Sequence, residues 1–294
     1  MESQTTKKGK NKHSTKKSSK KFKPTYDWTI SEARALYESS KCNFDIDIIH
    51  YEDCIEGMRK LPDNSIDMVV ADPPFGINFN GKEGIYNRDK NNVIEGYKEV
   101  EISNYSEFTN RWISELPRIL KKSGGVWIFS GWTNLKDILF ALEKNNLELI
   151  NHIIWKYQFG VFTKRKFVTS HYHILFAVKN KRNYFFNKIE HYPEDVWNIK
   201  RVYHTGIKKN ATKLPTDVVL RCIDFGSKPG DIILDPFMGN GTTAVVCKGA
   251  YRHYIGYEIN KQLQEIIEWN LSKIKLGEFY TPYSERTNDK REKN

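Results

Sequence analysis

Cysteine is scarce in this chain. Four occur in 294 residues, at positions 42, 54, 222 and 247. No two stand in Cys-x-x-Cys spacing, so neither a zinc knuckle nor a disulfide framework is expected. The scarcity suits a reducing cytoplasm, with most of the thiols expected to fill core positions. Long apolar runs are also missing: none approaches the roughly 18 residues of a membrane span. The start is polar and lysine-rich and lacks the apolar h-region of a secretory signal, so no export and no membrane partner are expected. No internal repeat is visible. Nothing in the sequence fixes a monomer or a dimer.

Hydrophobic residues make up 39% and aromatic residues 13% of the chain, enough for a sizeable core. The net charge is +11, and it is unevenly spread. Residues 1–23 hold nine lysines against Glu2, a surplus of eight, leaving +3 for everything else. Residues 1–24 therefore read as a disordered basic tail, which attracts phosphate backbones without reading sequence or simply aids solubility.

Downstream, strand and helix patterns alternate. Strands are predicted over 44–53, 65–72, 126–131, 148–158, 171–179, 231–237 and 253–259. Helices are predicted over 25–41, 53–62, 108–125 with glycines as its stop, 135–146, 215–230, 242–250 and 260–275. Continuous apolar strands joined by helical crossovers imply an α/β fold with a doubly wound, mostly parallel sheet. One domain is expected over 25–280, with a frayed end over 281–294. Two stretches break the pattern: the polar segment 81–104, and a basic, aromatic insert at about 180–211.

Two short motifs carry the chemistry. In "DMVVADPPFG", an apolar strand stops in Asp72-Pro73-Pro74-Phe75, and Gly76 leaves clearance beside it. In "ILDPFMGNGTT", Asp235 and Phe237 precede a turn whose Gly239 and Gly241 allow tight bending and close approach to a ligand. Glu258 stands 17 residues beyond Gly241, at the end of the next strand, where a carboxylate can bind ribose hydroxyls. Gly239-x-Gly241-x-x-Ala244 also fits the dinucleotide fingerprint of a nicotinamide oxidoreductase. Asp235 argues against a pyrophosphate there and for a cationic group such as a sulfonium or ammonium.

"DPPF" resembles the catalytic motif, and "DPFMGNGTT" the cofactor motif, of the DNA amino-methyltransferases. "NATKLPTDVVLRCI", just before the second, resembles that family's companion cofactor segment. The catalytic motif comes first, which is the permuted, β-type order. The resemblance covers about 44–275. It implies a Rossmann-like methyltransferase fold, S-adenosylmethionine as cofactor, double-stranded DNA as substrate, a restriction-modification setting with a separate cognate endonuclease, and transfer to an exocyclic amine of a flipped base. It implies catalytic roles for Asp72, Pro73, Pro74 and Phe75. Cofactor roles are implied for Asp235, Phe237, Gly239, Gly241, Thr242, Glu258, Asp53 and Lys213. Asp53 also suits a helix N-cap, and both roles can hold together. Lys213 and Pro215 match a usual Lys-Pro pair, although Leu214 intervenes here. Capping is the simpler use of Thr242 and Thr243.

The chemistry fits the residues. An exocyclic amine is a poor nucleophile because its lone pair is delocalised into the base. Acceptors aimed at its N–H groups favour a tetrahedral nitrogen and stabilise its developing charge. Asp72 offers a carboxylate and Pro73 a carbonyl, while Phe75 offers a stacking face worth about 1–3 kcal/mol. Within the family, aspartate at the first position leans to N6 of adenine, with N4 of cytosine as the alternative. Attack at cytosine C5 needs a nucleophilic cysteine, usually after proline, and none of the four follows one. RNA or protein-amide methylation is a more distant rival. The basic stretches 163–166 and 179–209 are the candidates for reading DNA. Trp155 reads as core. His171 and His173 share a strand face without acidic or cysteine partners, so no metal is expected.

Overall fold

In a computed structural model, residues 22–75, 100–158, 160, 163–201 and 213–286 are described. The basic tail to residue 21, Gly76 with most of the 81–104 stretch, and 202–212 of the insert lie outside them.

The elements run α1 (Ile30–Ser39), β1 (Ile48–His50), α2 (Cys54–Lys60), β2 (Ile66–Ala71), α3 (Ile102–Ile119), β3 (Leu120–Ser130), α4 (Leu135–Lys144), β4 (Glu148–Lys156), β5 (His171–Val178), β6 (Val196–Asn198), α5 (Thr216–Gly226), β7 (Ile232–Asp235), α6 (Thr242–Gly249), β8 (His253–Tyr257) and α7 (Gln264–Ser272). The strands form one sheet in the order β1-β8-β7-β2-β3-β5-β4-β6. From β1 to β3 every pairing is parallel; β5 is antiparallel to both β3 and β4, and β6 is parallel to β4. The sheet is mostly parallel and Rossmann-like, as expected.

Strand alternation explains the layers. On β2, Val69 and Ala71 face one side and Met68 and Val70 the other; on β3, Val126 and Ile128 oppose Trp127 and Phe129. The first face buries apolar residues of α2, α3 and α4, such as Met58, Trp112 and Ile138. The second buries those of α5, α6 and α7, such as Val219, Val246 and Ile267. A strand covered on both faces must be apolar along its buried length, which is why Met68–Ala71 carries no polar residue, while Asp67 at the strand's start is only half-buried and pairs with Lys121 at 2.7 Å.

Three expectations need correction. The glycines at 124 and 125 do not stop α3, which ends at Ile119; they lie inside β3. A Cβ at Gly125 would sit 3.0 Å from Phe176 Cε2, and one at Gly124 2.9 Å from Leu120 Cδ2, so the close approach explains both. The insert is not wholly irregular, because Val196–Asn198 pairs with β4 through Trp155↔Trp197. Residues 281–286 fall in the segment expected to fray, yet they are held. Tyr283 is buried, its amide donates to Asp27 Oδ1 at 2.7 Å, and Arg286 pairs with buried Asp224.

Candidate active site

Four adjacent strands, β1, β8, β7 and β2, each finish in or just before a carboxylate: Asp53, Glu258, Asp235 and Asp72. This is the carboxyl edge of the parallel part of the sheet, where open α/β folds bind ligands. The register brings the strand ends level, with Asp235↔Gly256 on β7–β8 and His50↔Tyr257 on β1–β8.

Asp235 is 5% exposed. Its Oδ1 accepts from the Phe237 amide at 2.9 Å and its Oδ2 from the Thr243 hydroxyl at 2.5 Å. Burial raises its pKa to about 7, against those two hydrogen bonds and with help from Glu258. Asp72 is half-buried, and Pro73 behind it is buried. Burial raises the Asp72 pKa to about 7; the Asp235 charge adds to the rise and Arg201 opposes it. The two carboxyls therefore sense each other across β2 and β7, and the expected catalytic and cofactor motifs meet in one place.

The glycine turn is built as its sequence suggests. Gly239 and Gly241 have φ of +54° and +78°, values that disfavour a side chain. Around Gly241 the space is full: a Cβ would lie 2.9 Å from Ile267 Cγ2. Around Gly239 it is open, and a Cβ would meet only the Phe237 carbonyl at 3.8 Å. Glu258 organises this turn, accepting from Gly239 N and Asn260 N at 2.8 Å each. Its pKa is raised by burial, against those bonds.

The remaining expected residues divide. Asp53 caps α2, accepting at Oδ1 from Ile55 N at 2.9 Å and Glu56 N at 3.2 Å. Cys54 beside it is buried and feels both Asp53 and Asp235. Lys213 is half-buried at the edge of the described residues, and burial lowers its ammonium pKa. Phe237 turns its ring toward Trp112, 5.3 Å away and edge-on, and toward Phe108 at 6.0 Å. Thr242 and Thr243 do not cap α6, whose N-cap is Gly241; their hydroxyls go to the Leu214 carbonyl at 3.4 Å and to Asp235. A buried carboxylate draws the stronger donor, so Thr243 serves Asp235 rather than its own helix.

Phe75 is half-buried and stacks on Tyr172, with centroids 5.8 Å apart and planes 6° off parallel. Tyr172 is 5.7 Å from buried Trp155. The Arg201 guanidinium lies 4.3 Å from the Tyr157 centroid and 4.8 Å from that of Tyr172. Tyr157, Tyr172 and Arg201 were not singled out from the sequence. The available signal was the alternation of β5, which sends Tyr172 to the face opposite His171 and His173. Those histidines do share a face: their rings are 4.9 Å apart, and His152 Nε2 lies 2.7 Å from His173 Nδ1. Burial, with His152 and His171 nearby, lowers the His173 pKa to about 4. Among the described residues, no group of three or more histidine, cysteine or acidic side chains could hold a metal ion.

The residues fit S-adenosylmethionine better than a dinucleotide. Two neighbouring carboxyls, buried Asp235 and half-buried Asp72, with pKa values raised to about 7 by burial, favour a cationic ligand and would repel a pyrophosphate. The open side of Gly239 lets a ligand approach the backbone.

Comparison with known proteins agrees with this geometry. The DNA methylase family model for N6 and N4 enzymes matches residues 66–268. The chain is 31% identical over 242 residues to the type II methyltransferase M.HinfI of Haemophilus influenzae, covering 76% of this chain and 67% of that protein. It is 30% identical over 236 residues to the type II methyltransferase M.HpaI of Haemophilus parainfluenzae, covering 74% and 71%. The crystal structure of the M1.HpyAVI–SAM complex shares the fold, with TM-score 0.57 and 23% identity over 76% of this chain and 98% of that one. With both motifs on one sheet edge and the match spanning them, the chain belongs to the N6/N4 family of DNA methylases.

Proposed function

We propose that this S-adenosylmethionine-dependent DNA methylase modifies N6 of adenine in double-stranded DNA, at a specific site, as the modification partner of a separate restriction endonuclease. The observation that carries the reading is the position of Asp72-Pro73-Pro74-Phe75 at the end of β2, directly beside the Asp235–Gly241 turn at the end of β7. The relatives named as type II methyltransferases support the restriction setting.

When bound, S-adenosylmethionine supplies an electrophilic methyl group. Glu258, Asp235, Gly239 and Gly241, with Asp53, Phe237, Thr242 and Lys213 around them, form the cofactor side. Asp72 and the Pro73 carbonyl accept the two N–H bonds of the amine, drawing its nitrogen toward a tetrahedral shape. The fixed φ of two adjacent prolines holds both acceptors in place. Asp72, with a pKa near 7, also suits acceptance of the proton that the methylated amine sheds. Phe75, braced by Tyr172, provides the surface on which an extruded base stacks.

The test is incubation with methyl-labelled cofactor and DNA, followed by nucleoside analysis. Label in N6-methyladenine supports the proposal. Label in N4-methylcytosine reverses the base assignment, and DNA without label rejects the reading.

A further inference from the structure

Arg201 has no part in the machinery above, yet its surroundings are built with care. Its backbone is locked to β4's exit: its amide donates to Gln158 Oε1 at 2.9 Å, and Gln158 Nε2 donates to its carbonyl at 2.9 Å. Its guanidinium lies over Tyr157, Tyr172 and, at 5.6 Å, Trp155. Tyr172 is the ring that stacks on Phe75. Arg201 also lies within electrostatic reach of Asp72. No carboxylate among the described residues forms an ion pair with it. Aromatic faces hold the flat of a guanidinium and leave its N–H edge available, which is the edge that binds phosphate in bidentate fashion.

Electrostatics say why a cation is needed there. Asp72, Asp235 and Glu258 make the pocket acidic, and DNA is a polyanion. A base swung into the pocket brings its own phosphate toward those carboxylates. A fixed positive charge at the mouth removes that repulsion and fixes the nucleotide's orientation.

Resting on the assignment of Asp72–Phe75 as the base pocket, we propose that Arg201 is a positioning residue that grips a backbone phosphate flanking the extruded nucleotide. The Tyr157–Tyr172 wall holds its guanidinium in the gripping orientation, so that the base arrives with its amine at Asp72 and its ring on Phe75.

The experiment is a chemical double-mutant cycle. Duplexes containing the mapped target carry a neutral methylphosphonate at the phosphate 5′ or 3′ of the target base, and are assayed with the wild type, R201A and R201K. One of the two methylphosphonates should lower wild-type kcat/KM about tenfold. The same substitution should have little effect with R201A. R201A should also lower the slope of log K against log salt by about one, and R201K should restore most of that slope, because the slope counts phosphates neutralised. S-adenosylmethionine affinity should stay unchanged in both variants, which excludes misfolding. Additive losses for both methylphosphonates, or a salt slope unchanged in R201A, overturn the proposal. A wild type that does not methylate the unmodified duplex instead rejects the functional reading on which the proposal rests.

Discussion

Replacing Asp72 with Asn should abolish methyl transfer and at the same time stabilise the folded protein at alkaline pH. Asp72 has a folded pKa of about 7 against an ordinary value of 3.8. Between those values the folded state holds a proton that the unfolded state has released. Folding is therefore favoured at low pH, and its stability falls as pH rises toward 7. At 1.36 kcal/mol per pH unit, the interval sets a ceiling of about 4 kcal/mol on the burden of the ionised carboxylate. Asp72 keeps some exposure and has Arg201 nearby, so about 1–2 kcal/mol is the realistic gain for the Asn variant at pH 8. In a domain of this size that corresponds to a rise in Tm of about 2–8 °C. Asparagine is nearly isosteric and never ionises, so the gap between variants should widen from pH 5 to about pH 7 and then level off toward pH 8. Thermal melts across that range, read beside labelled-methyl transfer, test both halves. A gap that is flat with pH, or an Asn variant that melts below the wild type at pH 8, refutes the electrostatic account. Surviving transfer refutes the role given to Asp72.

The two turn glycines should separate. Gly241→Ala forces a Cβ against Ile267 at positive φ and should lower stability by about 1–3 kcal/mol in denaturant titration, whereas Gly239→Ala should lower it less and raise the S-adenosylmethionine Kd at least tenfold by calorimetry. Equal losses of stability, or an unchanged Kd for Gly239→Ala, would count against the open side of the turn as the ligand side. Thr243→Val removes a donor from buried Asp235 and should be destabilising by about 1.5–3 kcal/mol above pH 7, and by less at pH 5, where that carboxyl is neutral in the fold. The role proposed for Asp72 makes its ionised form the working form, so kcat/KM should rise about tenfold per pH unit up to about 7 and then level, and a profile flat between pH 5 and 8 would contradict that role. Arg286→Ala should lower stability by about 2 kcal/mol in chemical unfolding, less than the 3–5 kcal/mol of a fully buried pair because its guanidinium is partly exposed.

What was legible in the sequence is what repeats along it or marks itself chemically. The buried strands announce themselves as apolar runs, since both faces of Met68–Ala71 meet helices. Asp72-Pro73-Pro74-Phe75 and the Gly239–Gly241 turn are residue combinations that regular structure has no reason to contain. The boundaries were less legible. Gly124 and Gly125 look like a helix stop because glycine's usual reason for being at such a place is conformational; here the reason is crowding inside the sheet, where a Cβ would press on Leu120 at Gly124 and on Phe176 of β5 at Gly125. Val196–Asn198 is too short to show a period, and only its pairing with β4 makes it a strand. The held C-terminus had no signal at all, because Tyr283 and Arg286 take their partners, Asp27 and Asp224, from remote parts of the chain.

The same distinction explains how the active site is assembled. Asp53, Asp72, Asp235 and Glu258 are scattered over about 200 residues, and each alone reads as a cap or a strand end. The strand order makes their parent strands neighbours, and burial then makes the charges of Asp72, Asp235 and Glu258 interact. Each residue's first partner is local: a helix amide for Asp53, a turn amide for Asp235, the glycine turn for Glu258. Those bonds build the turns. Asp72 differs, because among the described residues no hydrogen bond within the protein claims its carboxylate. It is also the carboxylate whose pKa the Arg201 charge holds down. A carboxyl held near neutrality, with its acceptor oxygens uncommitted and an aromatic ring three residues on, is shaped for a substrate rather than for the fold.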